Sequence, residues 1–157
     1  MKIKNLYWFT GQPGAGKTTL AQSLKTYLKP ITLKKIIILD GDNIRDIFKN
    51  QDYSKEGRLK NVDLVQSCCK FLIENDIIVI VCMVSPFRDQ RYDFCKQMNG
   101  IEIYVHCSEK RGREHFFVDY FEQPSPFMHS DSIAIDTTLL SPEESFSNLL
   151  NLLGDVK

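Results

Sequence analysis

Gly11-Gln12-Pro13-Gly14-Ala15-Gly16-Lys17-Thr18 fits the pattern GxxxxGK(S/T). Each position has a chemical reason. Glycines at 11, 14 and 16 let the backbone turn tightly and aim its amides at phosphate oxygens. Lys17 reaches the β- and γ-phosphates of a nucleoside triphosphate, and the Thr18 hydroxyl ligates Mg2+. Ala15 and Thr19 complete the expected phosphate-binding set, and the helix that starts here adds its positive dipole end. The motif follows a strand-like run, Leu6-Tyr7-Trp8-Phe9, and precedes a helical stretch over 18–28 with Leu20, Leu24 and Leu28 on one face. That context separates a phosphate loop from a glycine-rich turn with no ligand.

Outward from the loop, apolar runs alternate with amphipathic stretches, the pattern of βαβ units. Pro30 ends the first helix. Further strands are expected at 36–39, 77–83, 101–105 and 132–135. Helices are expected at 43–49, 55–75 and 86–98, and from a Ser141 cap to Leu153, with Gly154 following. The 36–39 run reads as a buried strand, Trp8 as core, and Pro86 as part of its helix's first turn. The 55–75 helix carries apolar Leu59, Val62, Leu64, Val65, Phe71 and Leu72. The expected class is α/β: a P-loop NTPase fold with a five-stranded parallel sheet, helices on both faces and a short lid. Its ligand belongs at the carboxyl edge of the strands. Residues 1–157 read as one domain, with the lid at about 107–130. Residues 111–130 break the rhythm with aromatics, charges, Pro124 and Pro126; they read either as a mobile lid or as a surface excursion.

Composition narrows the partners. The 157 residues are 43% hydrophobic and 25% charged, as in a folded domain. The 20 basic and 20 acidic residues cancel, so no basic field points to nucleic acid or to an anionic membrane. The longest apolar run, 77–84, falls far short of the ~20 residues that cross a bilayer. Residues 1–5 lead straight into a strand-like pattern without a secretory signal. Five cysteines with no CxxC pair read as reduced thiols in a cytoplasmic protein. The adjacent Cys68 and Cys69 point to a helix near the core. His106, His115 and His129 lack metal-ligand spacing and read as surface or structural groups.

Leu39-Asp40-Gly41-Asp42-Asn43-Ile44-Arg45 follows the second strand and so belongs beside the phosphate loop. Two carboxylates there suit phosphoryl transfer: one serves a metal-bound water, the other accepts the proton of a substrate hydroxyl. Asp42 is equally placed to cap the next helix. Arg45 reads either as facing an anionic substrate or as solvated. Arg111 and Arg113 either close over triphosphate oxygens or form a solvated basic turn.

These pieces resemble the adenylylsulfate kinases of the P-loop kinase superfamily. The resemblance runs through the phosphate loop, residues 39–45, Tyr53-Ser54 with Arg58 and Asn61 at the family's spacing, and Val84-Ser85-Pro86-Phe87-Arg88. It covers residues 6–100 well and the final strand and helix loosely. It implies ATP as co-substrate, Mg2+ as cofactor and a small anionic nucleotide as acceptor, with a homodimer left open. By position, Asp42 stands at the acceptor hydroxyl and acts with Lys17. Thr18 and Asp40 hold the metal. Arg45, Tyr53, Arg58 and Asn61, with the backbone of Val84 and Ser85, line the acceptor pocket. Residues 107–124 depart from the family. They are shorter and lack its Arg-Asp-Pro-Lys-Gly-Leu-Tyr and Phe-Thr-Gly segments, leaving Phe117, Tyr120 or Phe121 to stack a base. The acceptors implied are adenosine 5′-phosphosulfate or, as in capsule-pathway paralogues, cytidine diphosphoramidate. Two rivals are a P-loop kinase acting on a sugar or a nucleoside monophosphate, and a non-catalytic nucleotide switch. No Asn-Lys-x-Asp guanine signature is present, and a switch has no need of an acceptor pocket.

Overall fold

A computed structural model describes residues 2–125 and 132–155. The strands are β1 (Leu6–Thr10), β2 (Ile36–Asp40), β3 (Ile78–Cys82), β4 (Ile101–His106) and β5 (Ser132–Asp136). They form one sheet in the order β2-β3-β1-β4-β5, every pairing parallel. The helices are α1 (Lys17–Leu28), α2 (Gly41–Ile47), α3 (Lys55–Glu74), α4 (Arg88–Gln97) and α5 (Pro142–Asp155).

Alternation along β1 divides the core in two. Tyr7 and Phe9 pack with Leu20, Leu24 and Leu28 of α1 and Leu149 and Leu153 of α5. Leu6 and Trp8 face the other way, onto Val62, Val65 and Cys69 of α3 and Phe94 and Cys95 of α4. The sheet is thus covered on both faces, as a parallel sheet requires. Because β1 lies centrally, the loop after it opens where the chain crosses over between β3 and β4, the usual ligand crevice of such sheets.

Several expectations shift. β2 is an edge strand, and all five of its residues keep partial exposure, so an apolar run alone did not mark a buried strand. On α3 the inward stripe is Gly57, Asn61, Val65 and Cys69, four apart, with Val62 beside it. Leu59 and Phe71 fall off that stripe and are 38% and 66% exposed. α4 starts at Arg88, not at Pro86. The turn before it is left-handed at Ser85 (φ 38°), and the Glu122 carboxylate accepts the Arg88 N–H at 2.8 Å, capping the helix from a distant segment. α5 opens with a reciprocal capping box between Ser141 and Glu144, at 3.1 and 2.8 Å, and Gly154 lies inside it.

Gly11 shows how tightly β1 hands over to the loop. Its φ is 143°, and a Cβ built there falls 2.1 Å from the Val105 carbonyl oxygen. Gly154 meets nothing within 4 Å. Gly11→Ala is therefore expected to cost about 2 kcal/mol or more, whereas Gly154→Ala gains about 0.5 kcal/mol from helix propensity. Urea denaturation of the two variants checks the opposite signs.

Candidate active site

The carboxyl edge of the sheet carries a cavity of about 900 Å³. Gly14, Gly16, Lys17, Thr18 and Thr19 form its floor, and Ala15 is buried beneath them. Gly16 is the N-cap of α1, left-handed and without a side-chain cap, so the first turn of the helix presents its amides and dipole to this space. The Lys17 Nζ donates to the Gln12 carbonyl at 2.8 Å. Burial pulls its ammonium down to about 8, against the opposing fields of Cys82, Asp40 and Asp42. Burial, and then the Asp40 charge, push the neighbouring Cys82 thiol up to about 12, so it stays protonated and is no nucleophile.

Of the two carboxylates, Asp40 is the helix cap. Its Oδ1 accepts from Asp42 N at 2.9 Å and Asn43 N at 3.4 Å. The capping alternative for Asp42 is thereby corrected: α2 begins at Gly41, two residues earlier than the pattern implied, which moves the cap back to Asp40. Asp42 is left exposed on the cavity wall. The oxygen set suits Mg2+, a hard cation: the Thr18 hydroxyl, the second oxygen of Asp40 and the Asp42 carboxylate all line one space. Among the described residues no cluster of three or more His, Cys, Asp or Glu is able to hold a metal. A metal here would thus share its shell with phosphate oxygens and water.

The acceptor side is built from α2 and α3. Arg45 is not solvated: it is 4% exposed and donates to the Asp52 and Asn50 carbonyls at 2.7 and 3.3 Å. Its guanidinium lies 4.3 Å from the centre of the Tyr53 ring, and that of Arg58 lies 5.5 Å from it. Two cations thus lie beside Tyr53. Asn61, 1% exposed, lines the cavity with a buried Oδ1 that has no hydrogen-bond partner. Val84 and Ser85 close the wall. The Val84 carbonyl accepts Thr10 Oγ1 at 2.7 Å, and Ser85 Oγ accepts Trp8 Nε1 at 3.0 Å. The Ser85 side chain therefore faces the core, and the Ser85 carbonyl is taken by Arg91. Trp8 is core, as expected, and also carries this turn.

Residues 107–125 form a strap over the loop rather than a free excursion. Arg111 sits away from the large cavity. Its guanidinium donates to the Thr137 and Gly14 carbonyls at 2.9 and 3.4 Å and pairs with Glu109 at 2.9 Å. Arg113 does line the cavity. Of the aromatics expected to stack a base, Phe117 lines the cavity, with Phe116 beside it. Tyr120 instead stacks on Phe87 and Phe121 on Tyr104, both at 5.8 Å. His115 joins the cavity wall, while His106 stacks on Tyr104 and faces Asp136 at 3.7 Å. His129 and Pro126 lie outside the described residues.

The site also contains groups that sequence reasoning did not single out. Thr10, Gln12 and Arg91 all support it through hydrogen bonds to residues far away in sequence. Gln12 alone lay inside a recognised motif, at a position whose residue type the motif leaves open.

Comparison with known proteins agrees with this geometry. The profile of the family described as adenylylsulphate kinase matches residues 4–115. An adenylyl-sulfate kinase of Clostridium kluyveri is 30% identical over 95% of this chain and 83% of its own length. A cytidine diphosphoramidate kinase of Campylobacter jejuni is 36% identical over 65% of this chain, which spans 60% of that protein. The Mycobacterium tuberculosis APS kinase, solved with AMPPNP and APS, shares the fold: TM-score 0.70 and 18% identity over 96% of this chain and 98% of that one.

The two strap arginines are expected to separate by experiment. Arg113→Ala should cut the rate of any phosphoryl transfer at this site about 10- to 100-fold through loss of a cation from the cavity wall, with the melting temperature within about 2 °C. Arg111→Ala should lower the melting temperature by about 4 °C or more, since it frees several ties at once. Paired kinetics and calorimetry check the split.

Proposed function

The chain belongs to the adenylylsulphate kinase family of ATP-dependent phosphotransferases, and on that premise we propose that it moves the γ-phosphoryl group of ATP to the 3′-hydroxyl of adenosine 5′-phosphosulfate. One observation carries the reading. Lys17, Thr18 and Asp42 share a single cavity with Arg58 and Asn61, so phosphate-side and acceptor-side groups meet across a space of nucleotide size.

Asp42, exposed at the start of α2, accepts the proton of the acceptor hydroxyl. The hydroxyl oxygen then bonds to the γ-phosphorus as the bond from phosphorus to the β–γ bridging oxygen breaks, and ADP leaves. Lys17 and the amides of Gly14, Ala15, Gly16 and Thr19 hold the phosphate oxygens. Thr18 and Asp40 would hold Mg2+, which neutralises phosphate charge when bound. Arg113 adds a cation from the strap. On the acceptor side, Arg45 and Arg58 supply positive charge beside Tyr53, Asn61 Oδ1 takes a donor, and the backbone of Val84 and Ser85 bounds the pocket. Positioning and charge neutralisation are most of what this chemistry asks of a protein. A cytoplasmic place fits, since all five cysteines are free thiols and no helix among the described residues is long and apolar enough to cross a membrane.

A second reading keeps the chemistry and changes the acceptor to cytidine diphosphoramidate. It is favoured by the Campylobacter relative, 36% identical over 65% of this chain.

A coupled ADP-release assay with Mg-ATP, offering the two acceptors in parallel and Lys17→Ala as the blank, separates the readings. Turnover is expected with adenosine 5′-phosphosulfate. Turnover with the cytidine compound alone transfers the assignment to the second reading. Asp42→Asn should lower kcat by about 10²- to 10⁴-fold while leaving ATP binding nearly unchanged, and near-normal turnover in that variant would remove Asp42 from its role.

A further inference from the structure

Gln12 is the second residue of the phosphate loop, where the motif prescribes no residue type. Both polar ends of its side chain are nonetheless used. Oε1 accepts the Val118 N–H at 3.0 Å, and Nε2 donates to the Val118 carbonyl at 2.9 Å. A carboxamide carries a donor and an acceptor in one plane, so it pairs with the N–H and carbonyl of a single residue, much as a residue opposite it in an antiparallel strand does. The main-chain carbonyl of the same residue takes the Lys17 ammonium at 2.8 Å. One residue therefore touches both the phosphate lysine and the strap.

What it holds is well defined. Val118 is 5% exposed, and its carbonyl also takes the Phe121 N–H at 3.1 Å, closing a turn. Immediately before it stands Phe117, whose ring lines both the main cavity and a smaller one beside it. Further on, the Glu122 carbonyl is held by Arg91 at 2.7 Å and the Glu122 carboxylate by Arg88 N at 2.8 Å. The strap is thus tied at Arg111, at Glu122 and in the middle, and the middle tie comes from a side chain of the phosphate loop.

We propose that Gln12 is a positioning residue for the acceptor: its carboxamide sets where Phe117 stands, and so registers the acceptor wall against the phosphate loop. This rests on the phosphotransfer reading above. The requirement is specific. A methionine fills a similar volume but offers neither half of the pair, leaving the Val118 N–H without its acceptor and the Val118 carbonyl with the Phe121 N–H alone.

The test is Gln12→Met in the full chain, read by two measurements. Hydrogen exchange of the 116–121 segment is expected to speed up about 10-fold at Val118, through loss of its acceptor. Steady-state kinetics should show the acceptor KM raised about 10-fold, with the ATP KM within about twofold and kcat less affected. Unchanged exchange at Val118 overturns the tie. Faster exchange with an unchanged acceptor KM overturns the positioning role, and so does an equal rise in both KM values, which would mean that the loop itself is distorted. A wild type that turns over neither acceptor fails the phosphotransfer reading and the positioning role with it, while exchange at Val118 needs no substrate and still decides the tie. Should Gln12→Met not fold, Gln12→Leu, which also removes both halves of the pair, is read in the same way.

Discussion

A guanidinium with no exposed surface must have its charge balanced and its donors filled, and Arg91 meets that demand by joining four parts of the chain. Its Nε pairs with Glu102 of β4 at 2.7 Å, with side-chain exposures of 0% and 2%. One terminal nitrogen donates to the Ser85 carbonyl, the other to the Glu122 carbonyl, and the Phe121 ring lies 5.2 Å away. Against a hydrophobic pair of similar size such an ion pair adds little net stability. Removing one partner strands a buried charge, at about 3–5 kcal/mol. Its value here is geometric. It fixes the left-handed turn at Ser85, which places the backbone of residues 84 and 85 on the cavity wall, and it fixes the root of the strap.

The same division runs through the other basic groups. Arg111, paired with Glu109 and bonded to backbone carbonyls, holds a loop in place, and Arg45 does the same from the cavity wall. Lys17 and Arg113 border the cavity where phosphate charge would gather. A chain with no net charge thus still presents a local positive field, produced by the placement of a few cations, the α1 dipole and the loop amides. Desolvation of Lys17 belongs to this arrangement. An ammonium poorly served by water gains more from an anionic partner than one on the surface does.

How much of this was legible in the sequence follows from how local each determinant is. The phosphate loop, its flanking strand and helix, and the capping box of α5 are set by residues within a few positions of one another, and they stand where the pattern put them. The Asp40–Asp42 turn was located correctly, but its roles were divided by where α2 begins, and a shift of two residues moved the cap. β2 read as buried because an apolar run does not reveal whether a strand lies at the edge of a sheet. Glu102 interrupts an otherwise apolar strand and was the one visible hint of a buried pair. Its partner lies on the preceding helix, and only packing brings the two together. The Gln12–Val118 contact, 106 positions apart, has no local signature at all.

The strap bears on how an acceptor base is told apart from others. Tyr120 and Phe121 are committed to Phe87 and Tyr104, which leaves Phe117, with its neighbour Phe116, as the phenylalanine surface that the strap brings to the cavity, while Tyr53 lines it from the acceptor side. Stacking on such a ring is tolerant, because every base offers a π-face. Discrimination has to come from polar atoms that suffer when unmatched. A buried group left without a partner rejects the wrong ligand far more strongly than a poorly filled apolar pocket does. Asn61 Oδ1 is such a group: buried, unpartnered within the protein and carried by a residue of the cavity wall. On the proposed reading, the choice of acceptor would turn on which ligand brings a donor to Asn61 while its anionic end lies within reach of Arg58, and the strap's part would be to hold Phe117 against that ligand.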